Sequence, residues 1–187
     1  MGYRPITDFW FLTRAKLRGG KKYYGAYLGG FPERARVLIG AKLSDPVLHV
    51  CGGMARFYPY KRGFGPNDKT LDLDSSTNPD FHQDARDPLP MNGMQPWAAI
   101  LIDPPYSEED ADRYKVGRDY YPSPSKLIQN ALEAVPEGGR VGIIHYSLPR
   151  MPKNAVFIAC VGVACGFQNR IRVFSVFERA TSQPTKE

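Results

Sequence analysis

The chain has little cysteine. Its 187 residues hold three, Cys51, Cys160 and Cys165, with no Cys-x-x-Cys pair, which excludes a disulfide framework and a cysteine-based zinc site. Histidine is as scarce. His49, His82 and His145 are scattered without a ligand spacing, so no metal is expected. No apolar run approaches the roughly 20 residues of a membrane-spanning helix. The start lacks the charged, apolar and small regions of a secretory leader, and a reducing, cytoplasmic setting is expected. No internal repeat or low-complexity segment shows in these residues, and no second domain is expected within them. The length suits one domain over residues 1–187 with a real core.

Positive charge is what the chain has in surplus. There are 25 basic and 19 acidic residues, a net charge of +6, which favours a polyanionic partner. Arg14, Lys16, Arg18, Lys21 and Lys22 cluster beside Tyr23, Tyr24 and Tyr27. Two readings fit this cluster. It makes phosphate contacts with base stacking, or it is a solvated loop with partly buried tyrosines.

Residues 1–30 read as loop, with one short helix around Asp8–Arg18. A helix is expected over 31–42, with Pro32 in its first turn and Ala35, Leu38 and Ile39 on one face. Val47–Cys51 reads as a strand, followed by Gly52-Gly53, and residues 55–69 as irregular. Thr70–Asp74 is a second short strand ending in acids. Residues 75–97 are rich in turn formers. Ala98–Ile102 is a buried strand, the charged segment 107–122 a lid, Ser125–Val135 a helix and Arg140–Tyr146 another strand. Val156–Ala164 and Ile171–Phe177 form a closing antiparallel hairpin. Strands alternating with helices imply a mainly parallel, doubly wound α/β sheet.

Residues 98–106 read Ala-Ala-Ile-Leu-Ile-Asp-Pro-Pro-Tyr. The apolar run stops at two prolines, which cannot donate to a sheet ladder, and Asp103 is restricted by the proline after it. The result is a stiff turn at the carboxyl end of a strand, where open α/β sheets bind ligands. Asp103 and the Pro104 carbonyl can each accept a hydrogen bond from a planar amine. Pro105 stiffens the turn, and Tyr106 can stack on the attached ring.

This turn resembles the Asp/Asn-Pro-Pro-Tyr/Phe/Trp signature of the S-adenosylmethionine (SAM)-dependent amino-methyltransferases. They methylate adenine N6, cytosine N4 and, in RNA relatives, guanine N2. The resemblance spans roughly residues 23–178. It implies the class I SAM-dependent methyltransferase (Rossmann-like) fold, closed by a C-terminal antiparallel β-hairpin. It also implies catalytic roles for Asp103, Pro104, Pro105 and Tyr106. Tyr24-Gly25-Ala26-Tyr27 resembles the segment that precedes the family's glycine turn and packs on the cofactor. The turn itself corresponds to His49-Val50-Cys51-Gly52-Gly53-Met54-Ala55, whose glycines let SAM approach the backbone. His49 stands where the family usually has an acid, and Ala55 where it usually has a glycine. Asp72, ahead of Asp74, is expected to take the ribose hydroxyls, and Asp84, in Asp84-Ala85, the adenine amine. By the same resemblance Tyr24, His49, Cys51, Gly52, Gly53 and Ala85 line the cofactor site.

About 50 residues separate Gly53 from Asp103, too few to include a dedicated target-recognition domain. The expected partner is nucleic acid, DNA favoured over RNA, with adenine N6 ahead of cytosine N4. An RNA base methyltransferase, a non-catalytic SAM-fold subunit and a homo-oligomer stay open.

Overall fold

The computed structural model describes residues 4–15, 26–58, 62–114, 117–166 and 168–181. Among these residues eight strands form one sheet: β1 (Ile6–Leu12), β2 (Val47–Val50), β3 (Lys69–Asp72), β4 (Phe81–His82), β5 (Ala99–Ile102), β6 (Arg140–His145), β7 (Ala155–Cys165) and β8 (Gln168–Arg179). Three α-helices among the described residues accompany them: α1 (Phe31–Leu38), α2 (Glu108–Arg113) and α3 (Pro124–Ala134). The strand order is β1-β7-β8-β6-β5-β2-β3-β4. Only β8 is antiparallel to its neighbours, β6 and β7. This is the mainly parallel sheet with a closing hairpin that the alternation of elements implies.

β2 and β5 are buried at every position. Parallel strands covered on both faces need such apolar runs. α1 covers one face, where Phe31, Ala35 and Ile39 pack with Trp10 and Phe174. α3 covers the other, where Leu127, Ile128, Ala131 and Leu132 pack with Leu48 and Ile100. Each fully buried leucine, isoleucine or phenylalanine among them contributes roughly 1.5–3 kcal/mol, and each alanine less. Pro32 and Pro124 sit at the helix starts, where a missing N–H costs nothing.

One expectation is corrected. The segment from Asp8 is not helical: Ile6–Leu12 is a strand paired parallel to β7. Trp10 and Leu12 turn to the core while Phe9 and Phe11 stay exposed. Aromatic residues on both faces hide this two-residue period, and the pairing with Ala159–Cys165 is too distant for local pattern to reveal. The segment read as turns over 75–97 also contributes β4.

From β2 the chain moves outward through β3 to β4, then returns across β2 to β5. The reversal leaves a crevice at the carboxyl ends of β2 and β5, the place where open α/β sheets bind ligands.

Candidate active site

A cleft of about 660 Å³, counted out to open solvent, lies at that crevice. The turn after β2 lines it with Cys51 and Gly53, the end of β3 with Leu71 to Asp74, and the loop after β4 with Asp84 and Ala85. The turn after β5 adds Asp103 and Pro105, and the charged segment beyond it Tyr114, Tyr120 and Pro122. The structure thus brings together Cys51, Gly53, Asp72, Asp74, Asp84, Ala85, Asp103 and Pro105. Among the described residues, four carboxylates and no basic side chain line the space.

The glycine turn is tightly bound to β3. The Gly52 N–H donates to the Leu71 carbonyl at 3.2 Å, and the Gly53 N–H donates to Asp72 Oδ2 at 2.8 Å. A Cβ on Gly52 would lie 2.8 Å from the His49 carbonyl oxygen, so this close approach requires glycine. Cys51 adopts the left-handed φ of 54°. Burial, and then the carboxylates of Asp72, Asp103 and Asp84, push its thiol pKa well up. Burial also raises Asp72 above the usual carboxylate range. Asp74 caps the following short turn by accepting from the Ser76 N–H at 2.9 Å.

Arg86 holds Asp84 by a fork. Its Nε donates at 3.1 and 2.9 Å and its Nη2 at 2.6 Å. Burial opposes ionisation of Asp84, but these bonds keep its pKa below normal. The same guanidinium lies 4.8 Å above the Tyr120 ring and donates to the Asp119 carbonyl at 2.8 Å. Asn130, buried on α3, gathers the carbonyls of Ala85, Arg86 and Asp87 at 3.1, 2.9 and 2.8 Å. Neither side chain carries a sequence signature. Asn130 acts through residues far along the chain, and Arg86 ties its near neighbour Asp84 to the distant Asp119 and Tyr120.

Asp103 closes the floor. Its backbone N–H donates to the Val50 carbonyl at 3.1 Å. Burial raises its pKa to about 7, against the pull of the Tyr106 hydroxyl and Arg172. That hydroxyl donates to Asp103 Oδ1 at 2.6 Å. Pro104 is buried beneath the turn. Tyr106 lies outside the cleft lining, edge-on to His145 at 5.6 Å. His145 is buried, which lowers its pKa, and its Nδ1 meets Ser147 Oγ at 3.0 Å.

His49 is not brought into the cleft. It is 1% exposed, its Nε2 lies 3.1 Å from Asp68 Oδ2 and its Nδ1 3.3 Å from the Tyr27 hydroxyl. Asp68 also accepts from Arg36 and from the Gly65 N–H. β2 alternates its side chains, so His49 shares the α1 face with Val47. Ala55 is likewise buried, in a short turn that packs on the core. Tyr24 and most of the basic N-terminal cluster lie outside the described residues. The described residues contain no group of His, Cys, Asp and Glu able to hold a metal ion. They also contain no helix long and apolar enough to cross a membrane.

No protein-family profile matches the chain, and no curated protein matches its sequence. Solved structures do. TrmN from Thermus thermophilus superposes with a TM-score of 0.60 at 20% identity, over 83% of this chain and 50% of its own. The chain therefore spans half of that protein. A candidate methylase of Haemophilus influenzae gives 0.51 at 13% identity, over 91% and 99%. A candidate class I SAM-dependent methyltransferase of Listeria monocytogenes gives 0.50 at 14%, over 84% and 61%. The chain has the class I SAM-dependent methyltransferase fold.

Proposed function

We propose that the protein is a SAM-dependent methyltransferase acting on the exocyclic amine of a nucleic-acid base, adenine N6 in DNA first and cytosine N4 next. One observation carries this reading. The acids of three separate segments, Asp72 and Asp74, Asp84, and Asp103, converge with the glycine turn on one cleft at the sheet's switch point. Such a ring favours a ligand bearing positive charge, and SAM carries a sulfonium and an ammonium. Asp72 and Asp74 would hold its ribose, Asp84 its adenine amine, and the backbone at Gly52 and Gly53 its amino-acid end.

When bound, SAM supplies an electrophilic methyl group. The chain does the rest by position and charge. An aromatic amine is a weak nucleophile because its lone pair is delocalised into the ring. Asp103 and the Pro104 carbonyl accept its two N–H bonds, which favours a more tetrahedral nitrogen. The methylated nitrogen sheds one proton, and a carboxylate poised near neutrality can take it up. A base within a duplex must first leave the stack to reach Asp103.

An RNA base remains the second reading, because the acceptor pair would serve an unpaired base of either polymer. The non-catalytic reading drew on the atypical His49 and Ala55, which are buried and do not line the cleft.

Calorimetric titration with SAM, followed by transfer of labelled methyl to DNA and to RNA, tests the proposal. Asp103→Ala is expected to abolish transfer and to keep SAM binding. Asp84→Ala is expected to weaken SAM binding. Turnover retained in Asp103→Ala, or no SAM binding by the native chain, counts against it.

A further inference from the structure

On the side of Asp103 away from the cleft, the rings of Tyr106 and Tyr146 lie 4.5 Å apart, inclined by 51°. Arg172 from β8 sits 5.4 Å from the Tyr106 ring and 6.0 Å from that of Tyr146. Arg170, two residues earlier on the same face of β8, lies 5.3 Å from Tyr146 and donates to its hydroxyl at 3.0 Å. Arg170 is exposed, and both tyrosines and Arg172 are half-buried. Among the described residues no carboxylate lies within ion-pair distance of Arg170; Asp110 acts on it only through space, and its exposed guanidinium can reach an external anion. Antiparallel pairing explains the assembly. His145 of β6 faces Val173 of β8, which sets Tyr146 beside Arg172 at the strand end.

We propose that Tyr106, Tyr146, Arg170 and Arg172 form the seat for an unpaired stretch of nucleic acid running past Asp103. This rests on Asp103 being the acceptor for a base amine. Flat rings interleaved with guanidiniums match a polymer that alternates planar bases with phosphates, and such platforms bind single strands. Paired bases hide their faces inside the stack and offer these rings nothing. An acidic peptide would use the arginines and leave the rings unused. Asp103 lies between the two surfaces, so a base held on this patch presents its amine toward the cleft.

The test is fluorescence anisotropy of the full chain with labelled single-stranded DNA, single-stranded RNA and a blunt DNA duplex across a salt series. Single strands are expected to bind more tightly than the duplex. Arg170→Gln is expected to lower the salt slope by about 0.7, one phosphate contact on a single strand. Tyr146→Leu is expected to weaken single-strand binding by roughly 5- to 150-fold, the loss of one stacked base. Arg170→Lys should restore the slope. SAM titration of each variant reports whether the fold and cleft are intact. Unchanged affinity and slope in Arg170→Gln and Tyr146→Leu, tighter binding of the duplex, or no nucleic-acid binding by the native chain overturns the assignment. Loss of SAM binding in the native chain instead removes the methyltransferase reading, and the anisotropy series still decides the patch. Preference between the DNA and RNA strands identifies the polymer.

Discussion

Asp103 stands out as a candidate site residue from its two following prolines, but its proton affinity cannot be read there. That comes from enclosure by the ends of β2, β5 and β6, which raises its pKa from the ordinary 3.8 to about 7. A raised carboxylate pKa favours the protonated folded form. Asp103 therefore costs no stability below about pH 4, progressively more between 4 and 7, and its full cost above 7. Three pKa units correspond to about 4 kcal/mol at most. Asp103→Asn keeps an acceptor for the Tyr106 hydroxyl and removes the charge. It is expected to be more stable than the native protein at pH 8, with the gap closing toward pH 4 in denaturant titrations at each pH. Native kcat/KM is expected to rise with pH through a midpoint near 7, because only the ionised group can accept the amine hydrogen while its other oxygen holds the Tyr106 hydroxyl, and then take up the departing proton. A pH-independent rate across that range would deny Asp103 its role. His49 teaches the reverse lesson. Its place in the glycine-turn pattern suggested cofactor contact, yet strand alternation turns it to the core beside Asp68.

At the scale of elements, Arg86 joins the charged segment read as a lid to the loop after β4. Arg86 clamps Asp84 on one side and covers Tyr120 on the other. α2 is held at its start by Ser107, whose hydroxyl accepts from the Asp110 N–H at 3.1 Å, and the segment beyond it supplies three residues of the cleft wall. Arg86→Ala is expected to speed amide exchange over 117–121 without ligand and to weaken SAM binding by about tenfold, the size of one charge-assisted bond. Arg86→Lys should recover little, since an ammonium makes neither the fork nor the stacked contact. Exchange unchanged in Arg86→Ala would mean that the segment stands by its own packing. The Asp84-Ala85 motif is visible along the chain, but Arg86, Tyr120 and Asn130 become site residues only when β4, α2 and α3 meet.

Over the whole molecule, charge is segregated. The chain is basic, with net charge +6, yet its cleft is walled by four aspartates, and arginines and tyrosines stand on the other side of Asp103. Such a cleft should reject phosphate-bearing cofactors that many doubly wound folds accept. SAM at 100 times its Kd is expected to stabilise the fold by about 2.7 kcal/mol, a rise in Tm of roughly 5–10 °C. NAD or ATP at equal concentration should leave Tm unmoved. A comparable rise with either nucleotide would show that the cleft binds adenosine without reading charge.

The sequence alone determined the succession of α1, β2, β3, β5, α3, β6 and the closing hairpin, the apolar faces of α1 and α3, and the segments that bear the acids, but not β1, β4 or α2. These are local properties, written in residue spacing, prolines and glycines. Tertiary structure decided what depends on distant pairs. It made β1 a strand by supplying β7 as its partner, and took His49 out of the cleft by burying it against Asp68. It raised the Asp103 pKa by enclosure and built the arginine–tyrosine patch by setting β6 against β8. Burial and through-space charge act between residues that folding brings together, so no window of sequence contains them.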